Sequence, residues 1–177
     1  MKNLQRRRGF GLASNESTDM EQHTVLLGDA AATRALGQAL ALQWLALPDQ
    51  QQPLLLLHGD LGAGKTSLVQ GVATALGIAE PITSPTFALA QHYQGSHGAL
   101  VHLDLYRLEQ SAAANELLAQ EEEAALELGA LLALEWPERL GNTLPQGWQV
   151  QLELCEPDDP DAGRLALLSG PRLPKMP

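Results

Sequence analysis

A short glycine-rich stretch constrains the fold of this chain more than any other feature. Residues 59–66 read Gly-Asp-Leu-Gly-Ala-Gly-Lys-Thr, which has the spacing of a phosphate-binding P-loop. The glycines let the backbone curl so that successive N–H groups face phosphate oxygens, while Lys65 adds positive charge and the Thr66 hydroxyl can bind Mg²⁺. Because such a loop connects a buried strand to the N-terminus of a helix, the motif predicts an α/β fold.

The sequence on both sides of the loop has the required pattern. Residues 53–57 form a continuous apolar run before His58, as expected for a strand that is covered on both faces. Residues 68–76 repeat apolar side chains at helical spacing, and Gly77 stands where a helix would end. The other two lysines lie near the chain ends, so Lys65 is the only lysine in the body. We therefore interpret the loop as a phosphate site rather than as a glycine-rich turn without a ligand.

Length and composition favour one domain with a substantial core. The chain has 177 residues, of which 45% are hydrophobic, and its single cysteine excludes an intrachain disulfide and fits a reducing compartment. No apolar stretch approaches the ~20 residues that span a membrane, and the N-terminal segment lacks a signal-peptide core, so we expect a cytoplasmic protein. We predict a disordered basic tail (residues 1–21), a P-loop ATPase domain (22–170) and a C-terminal tail (171–177).

The distribution of charge bears on possible partners. The formal net charge is −10, and the first twenty residues contain four basic and two acidic side chains, so the remainder carries −12. A body of that charge repels nucleic acid unless a partner supplies a basic surface. We therefore expect any contact with nucleic acid to be made through a complex.

Patterning along the rest of the chain completes the α/β prediction. Asp29 can cap a helix that runs to Pro48. The predicted strands are 23–27, 88–93, 100–105 and 131–135, with helices over 110–128 and 137–140. Residues 148–154 and 164–168 are predicted to form a closing antiparallel hairpin around an acidic, proline-containing loop at 156–163.

Acidic and hydroxyl side chains outside the loop are candidates for catalysis. Asp104 and Glu135 each follow an apolar strand, where a carboxylate can serve a metal ion or an attacking water. The alternative for both is a surface carboxylate at a strand end. Thr86 lies between Pro85 and Phe87, either as a switch residue that senses the terminal phosphate or as an ordinary turn residue. Trp136 can pack on a nucleotide or in the core.

Four segments in this order carry a resemblance to a known family. They are residues 59–66, residues 84–87 (Ser-Pro-Thr-Phe), residues 102–108 (His-Leu-Asp-Leu-Tyr-Arg-Leu) and residues 135–138 (Glu-Trp-Pro-Glu). The first is generic, but together they resemble the bacterial TsaE (YjeE) family, the small ATPases of the tRNA threonylcarbamoyladenosine (t6A) modification system. The resemblance covers roughly residues 23–155.

The resemblance implies a fold, cofactors and partners. The fold would be an α/β P-loop NTPase core with a mixed, mainly parallel sheet flanked by helices. The cofactors would be ATP and Mg²⁺, with a weak ATPase that depends on TsaB-like and TsaD-like partners. TsaD transfers the threonylcarbamoyl group to the adenosine beside the anticodon, and tRNA would be reached only through the complex.

The resemblance also implies roles for particular residues. Glu135, Asp104 and Thr86 would be catalytic, and Thr66, Asp104 and Glu135 would serve the metal. The predicted nucleotide-binding residues are Gly59, Asp60, Leu61, Gly62, Ala63, Gly64, Lys65, Thr66, Ser67 and Trp136.

Three other functions remain open from the residues alone. A small-molecule kinase usually closes an arginine-bearing lid over the phosphates, but this chain has no lysine or arginine between Leu108 and Glu138. A GTPase-type switch commonly selects guanine with an Asn-Lys-x-Asp loop, and no such tetrapeptide occurs here. The third alternative is a nucleotide-binding scaffold without turnover.

Overall fold

The computed structural model describes residues 20–173, which form a sheet flanked by helices. In chain order the elements are β1 (Met20–Leu27), α1 (Ala30–Ala46), a 3₁₀ turn (Asp49–Gln51), β2 (Leu54–His58), α2 (Lys65–Leu76), β3 (Ala90–Gln94), β4 (Ala99–Asp104), α3 (Ser111–Leu128), β5 (Ala130–Glu135), a 3₁₀ helix (Pro137–Leu140), β6 (Gly147–Glu156) and β7 (Asp159–Pro171). No helix in this part of the chain is long and apolar enough to cross a membrane.

The seven strands form one mixed sheet in the order β1-β7-β6-β2-β5-β4-β3. The four central strands β6, β2, β5 and β4 are parallel, whereas β1, β7 and β3 run antiparallel to their neighbours. This arrangement confirms the predicted α/β class, with its mixed, mainly parallel sheet and antiparallel C-terminal hairpin. It also brings the carboxyl ends of β2, β5 and β4 to one edge, where α/β proteins bind ligands.

The apolar strands pack against helices on both faces of the sheet. Leu55 and Leu57 lie in the core under α1 and α2, whereas Leu56 lies in the core under α3. Successive residues of a strand point to opposite faces, so a doubly covered strand needs consecutive apolar residues. This explains the unbroken leucine run that precedes the P-loop.

Local signals place the ends of the helices. The Asp29 carboxylate accepts a hydrogen bond of 2.7 Å from the Ala32 backbone N–H at the start of α1. Gly77 ends α2 in the left-handed conformation, with φ of 72°, which costs glycine little. Both assignments made from the sequence are confirmed.

The C-terminal hairpin is longer than predicted, and the loop predicted at 156–163 is wrong. Strand β6 continues to Glu156, which pairs with Asp159 at the start of β7. The ladder of backbone hydrogen bonds and the burial of Leu152 and Ala166 outweigh the low strand propensity of the acidic residues.

The ends of the described chain belong to the sheet and its core. Met20 pairs with Pro171 across β1 and β7, and Leu173 is buried. Residues 1–19 and 174–177, which make up most of the two predicted tails, lie outside the described residues.

Candidate nucleotide site

The ends of three parallel strands surround one cavity of about 470 Å³. The P-loop follows β2, Asp104 ends β4, and Glu135 ends β5. The predicted site residues that line the cavity are Leu61, Gly62, Gly64, Lys65, Thr66, Ser67, Thr86, Asp104, Glu135 and Trp136. The remaining three do not: Ala63 is a buried residue of the loop, Gly59 packs against β6, and Asp60 lines a neighbouring cavity.

Glycine is required in the loop by both conformation and space. Gly59 and Gly64 have φ of 134° and 104°, which side-chain-bearing residues rarely adopt. A Cβ atom on Gly59 would lie 2.5 Å from the Leu152 carbonyl oxygen, and one on Gly64 would lie 2.3 Å from Nη1 of Arg164. The loop therefore packs closely on β6 and β7 and turns directly into α2.

The Lys65 ammonium group is held beside the loop. Its Nζ donates hydrogen bonds to the backbone carbonyls of Gly59 at 2.6 Å and Asp60 at 2.9 Å, and lies 4.1 Å from the centroid of the Trp136 ring. Burial lowers the pKa of Lys65 from its usual value, although nearby carboxylates, Glu135 first among them, oppose that shift. A poorly hydrated cation in such a position favours an anionic ligand over neutral carbonyls.

Thr66 connects the start of α2 to β5. Its hydroxyl donates a hydrogen bond of 2.9 Å to Oε1 of Glu135. His102 Nε2 lies 2.9 Å from the same oxygen, and both the imidazole and the carboxylate are buried. The carboxylate is thus fixed on one oxygen by two side chains from different elements.

Asp104 holds the loop that carries Thr86. Its Oδ2 accepts hydrogen bonds from the hydroxyls of Ser84 at 2.7 Å and Thr86 at 2.8 Å. Its Oδ1 accepts one from the Tyr106 backbone N–H at 2.9 Å. A carboxylate that accepts from these three donors is fixed in orientation, and it links the Thr86 loop to the centre of the sheet.

Trp136 occupies an uncommon backbone conformation at the edge of the cavity. Its φ of 61° is left-handed, and its backbone N–H donates to the Leu57 carbonyl at 3.2 Å. Its ring lies 4.9 Å from that of Tyr106, centroid to centroid. Strained residues of this kind gather at functional sites, and here the conformation places the indole beside Lys65.

Arg164 is the charged cavity residue that the sequence prediction missed, and Ala30, Ser84 and Tyr106 also line the cavity without having been predicted. It comes from β7, is buried, and donates from Nη1 to the Ala63 carbonyl at 3.4 Å. No local motif marks it, because it reaches the P-loop from a strand 101 residues further along the chain. Two other arginines near the site, Arg107 and Arg139, lie over the rings of Phe87 and Tyr106 and do not line the cavity.

The residues at the cavity fit a nucleotide with a bound magnesium ion. Mg²⁺ commonly takes one or two protein oxygens and completes its shell with phosphate and water. The Thr66 hydroxyl uses its hydrogen for Glu135 and keeps its lone pairs for a cation, while the Asp104 carboxylate lines the same cavity. Among residues 20–173, no group of three or more His, Cys, Asp or Glu side chains could hold a metal by itself.

Comparisons with known proteins agree with the geometry. The family model described as "Threonylcarbamoyl adenosine biosynthesis protein TsaE" matches residues 27–164. The TsaE protein of Synechocystis is 47% identical over 120 residues, which cover 64% of this chain and 69% of that protein. The Mycobacterium bovis protein is 36% identical over 129 residues, covering 70% and 73% respectively.

A solved structure supports the fold independently. The crystal structure of Bacillus subtilis YdiB aligns with a TM-score of 0.62 and 24% identity, covering 85% of this chain and 86% of that one. The fold and site thus define a nucleotide-binding protein of the P-loop class. More particularly, the chain belongs to the TsaE family of tRNA threonylcarbamoyladenosine biosynthesis proteins.

Proposed function

We propose that this protein is the ATP-binding and ATP-hydrolysing subunit of the t6A machinery, and that it acts on a complex of TsaB-like and TsaD-like proteins. The observation that carries the proposal is the cavity at which Lys65 and Thr66 face the carboxylates of Asp104 and Glu135. Phosphoryl-transfer sites need a cation for the phosphates, a hydroxyl and carboxylate for Mg²⁺, and an acid that orients water.

Each side chain has a chemical task in this proposal. Lys65 exchanges its carbonyl partners for phosphate oxygens, and the N-terminus of α2 adds the positive end of its dipole. Thr66 and Asp104 would hold the magnesium ion, which would neutralise charge on the phosphates. Glu135 orients the attacking water, and Thr86 couples the state of the nucleotide to the position of its loop.

The cations of the cavity support a role for partners in turnover. Lys65 and Arg164 are the basic residues among those that line it, and one hydrogen bond of Arg164 is to the backbone of the loop. An arginine supplied by a second protein accelerates hydrolysis by ~10³–10⁵-fold in related enzymes. We therefore expect slow hydrolysis by the protein alone, with the complex completing or gating the site.

The catalytic part of the proposal is tested with Glu135→Ala. Because the proposal assigns the orientation of water to Glu135, its loss should slow ATP hydrolysis by more than tenfold while changing ATP affinity much less. The matched control is Glu123→Ala, which removes an exposed carboxylate from α3. A Glu135 variant that loses ATP affinity but hydrolyses bound ATP at the normal rate would show that the role is wrong.

The biological part is tested by reconstitution with TsaB-like and TsaD-like proteins from the same genome. Pull-down with and without ATP measures association, and ATP turnover is followed for the protein alone and in the mixture. We expect nucleotide-dependent association and faster or gated turnover. Rapid turnover alone that the partners leave unchanged would contradict the gating proposal, and preferential use of GTP would favour the switch-type alternative.

A further inference from the structure

His102 lies at the centre of the buried part of the site. It is the one polar residue of β4 before Asp104, its side chain is fully buried, and its Nε2 lies 2.9 Å from Oε1 of Glu135. That oxygen also accepts a hydrogen bond of 2.9 Å from the Thr66 hydroxyl. These contacts connect His102 directly to the site residue Glu135.

The register of the sheet brings these side chains together. In the parallel pair of β4 and β5, Asp104 is opposite Glu135 and His102 is opposite Ala133. Positions 102 and 104 share one face of β4, and 133 and 135 share one face of β5. The face is the one covered by α2, so Thr66 reaches the same carboxylate from its first turn.

The contacts determine which nitrogen of His102 must donate. A carboxylate oxygen accepts hydrogen bonds, so we assign the hydrogen of this contact to Nε2. The other nitrogen, Nδ1, is buried and has no hydrogen-bond partner among the described residues. A buried polar atom without a partner is costly, and an apolar side chain would avoid that cost in a strand whose preceding residues 99–101 are all apolar.

We propose that His102 is a positioning residue for ATP hydrolysis, and that its Nε2–H fixes Glu135 so that Oε2 is the oxygen presented to water. The inference rests on the function proposed above. If Thr66 uses its oxygen for a magnesium ion, His102 is the partner of Glu135 whose geometry does not depend on that ion. Without His102, the carboxylate would turn about its side-chain bonds, and the binding groups for ATP would remain in place.

The test compares His102→Leu with His102→Gln. Leucine fills the space without a donor, whereas the glutamine amide can place an N–H close to the position of Nε2. We expect His102→Leu to reduce kcat about tenfold or more with the KM and binding affinity for ATP within about threefold of wild type. His102→Gln should recover most of kcat. Adding His102→Leu to Glu135→Ala should cause little further loss, because both changes remove the same interaction.

A second measurement does not need turnover. Long-range ¹H–¹⁵N spectra of the nucleotide-free protein should show a protonated Nε2 on His102 whose resonance moves in Glu135→Gln. An unprotonated Nε2, or a His102→Leu variant with wild-type kcat, would overturn the inference. Equal losses of kcat in the Leu and Gln variants, accompanied by equal losses of melting temperature, would reduce His102 to a structural role. If the wild-type protein fails to hydrolyse ATP with its partners, the proposed function fails instead, and the spectra still test the contact.

Discussion

Lys65 is held by carbonyl oxygens of its own loop and by the Trp136 ring, and phosphate oxygens could replace those carbonyl partners. Replacing it with alanine removes a charge-assisted contact of ~1.5–3 kcal/mol, so ATP affinity should fall at least about tenfold. The fold should persist, because Lys65 is not part of either apolar cluster of the core. Calorimetric titration with ATP and a thermal melt measure the two effects.

The control for Lys65→Ala is Arg34→Ala, which removes an exposed positive charge from α1. That variant should bind ATP normally. An unchanged affinity in Lys65→Ala itself would show that the P-loop assignment is wrong.

Arg164 supports the P-loop from the side of β7. Its guanidinium donates to the Ala63 carbonyl and lies against Gly64, so it restrains the turn that enters α2. In Arg164→Met the apolar part of the side chain is kept and the donors are lost. Losing a hydrogen bond of ~1 kcal/mol should weaken ATP binding roughly fivefold.

Arg164→Lys separates charge from geometry at this position. Lysine retains the charge but not the planar group, so we expect intermediate ATP affinity. If Arg164→Met lowers the melting temperature and leaves ATP affinity unchanged, the residue stabilises the hairpin without contributing to binding.

At the scale of elements, the connection between α2 and β3 is attached to the sheet through Asp104. The hydroxyls of Ser84 and Thr86 both donate to its Oδ2, so the loop is positioned by hydroxyl contacts to one charged group. In Thr86→Val the shape is conserved and the donor is lost. A hydrogen bond to a charged group contributes ~1.5–3 kcal/mol, so ATP turnover should fall about tenfold if the contact positions the loop during hydrolysis.

Thr86→Ser is the matched control because it keeps the hydroxyl. Its turnover should stay close to wild type when measured with the same partners. Equal turnover in the Val and Ser variants would mean that the hydroxyl has no part in hydrolysis and that Thr86 is an ordinary turn residue.

Strand β2, the P-loop and helix α2 show how much of the fold can be predicted from local pattern. Strand β2, the loop and α2 were predicted because their apolar spacing and glycine positions are local properties. The C-terminal hairpin was predicted with a loop that is strand in the structure. The pairing is decided by contacts between β6 and β7 and by the burial of these strands against the core. The strand and turn preferences of residues 156–163 carry no information about those contacts.

The whole molecule combines an acidic body with a site for an anionic ligand. The net charge of −12 beyond the first twenty residues should repel tRNA, while Lys65, Arg164 and the N-terminus of α2 create local positive potential in a cavity. We predict that residues 21–177 alone do not retain tRNA at physiological salt and that the mixture with the partner proteins does. Filter binding or fluorescence anisotropy over a salt series measures both.

Residues 1–20 contain a basic cluster, Lys2, Arg6, Arg7 and Arg8, and provide the comparison for that experiment. Binding of tRNA by the full chain that disappears with these residues, and weakens steeply with salt, would assign the contact to the cluster. Tight binding by residues 21–177 alone would contradict the prediction that tRNA is reached through the complex.

The sequence by itself determined the P-loop, the strand and helix on either side of it, and the two carboxylates at strand ends, because each follows from residue type and spacing within a few positions. Only the tertiary structure decided which distant groups meet there. Thr66 and His102 reach Glu135 across 69 and 33 residues, and Arg164 arrives from β7. These contacts depend on the strand order β6-β2-β5-β4 and on the register between strands. Order and register are set by packing of the whole core, so they cannot be read from the spacing of residues within a few positions.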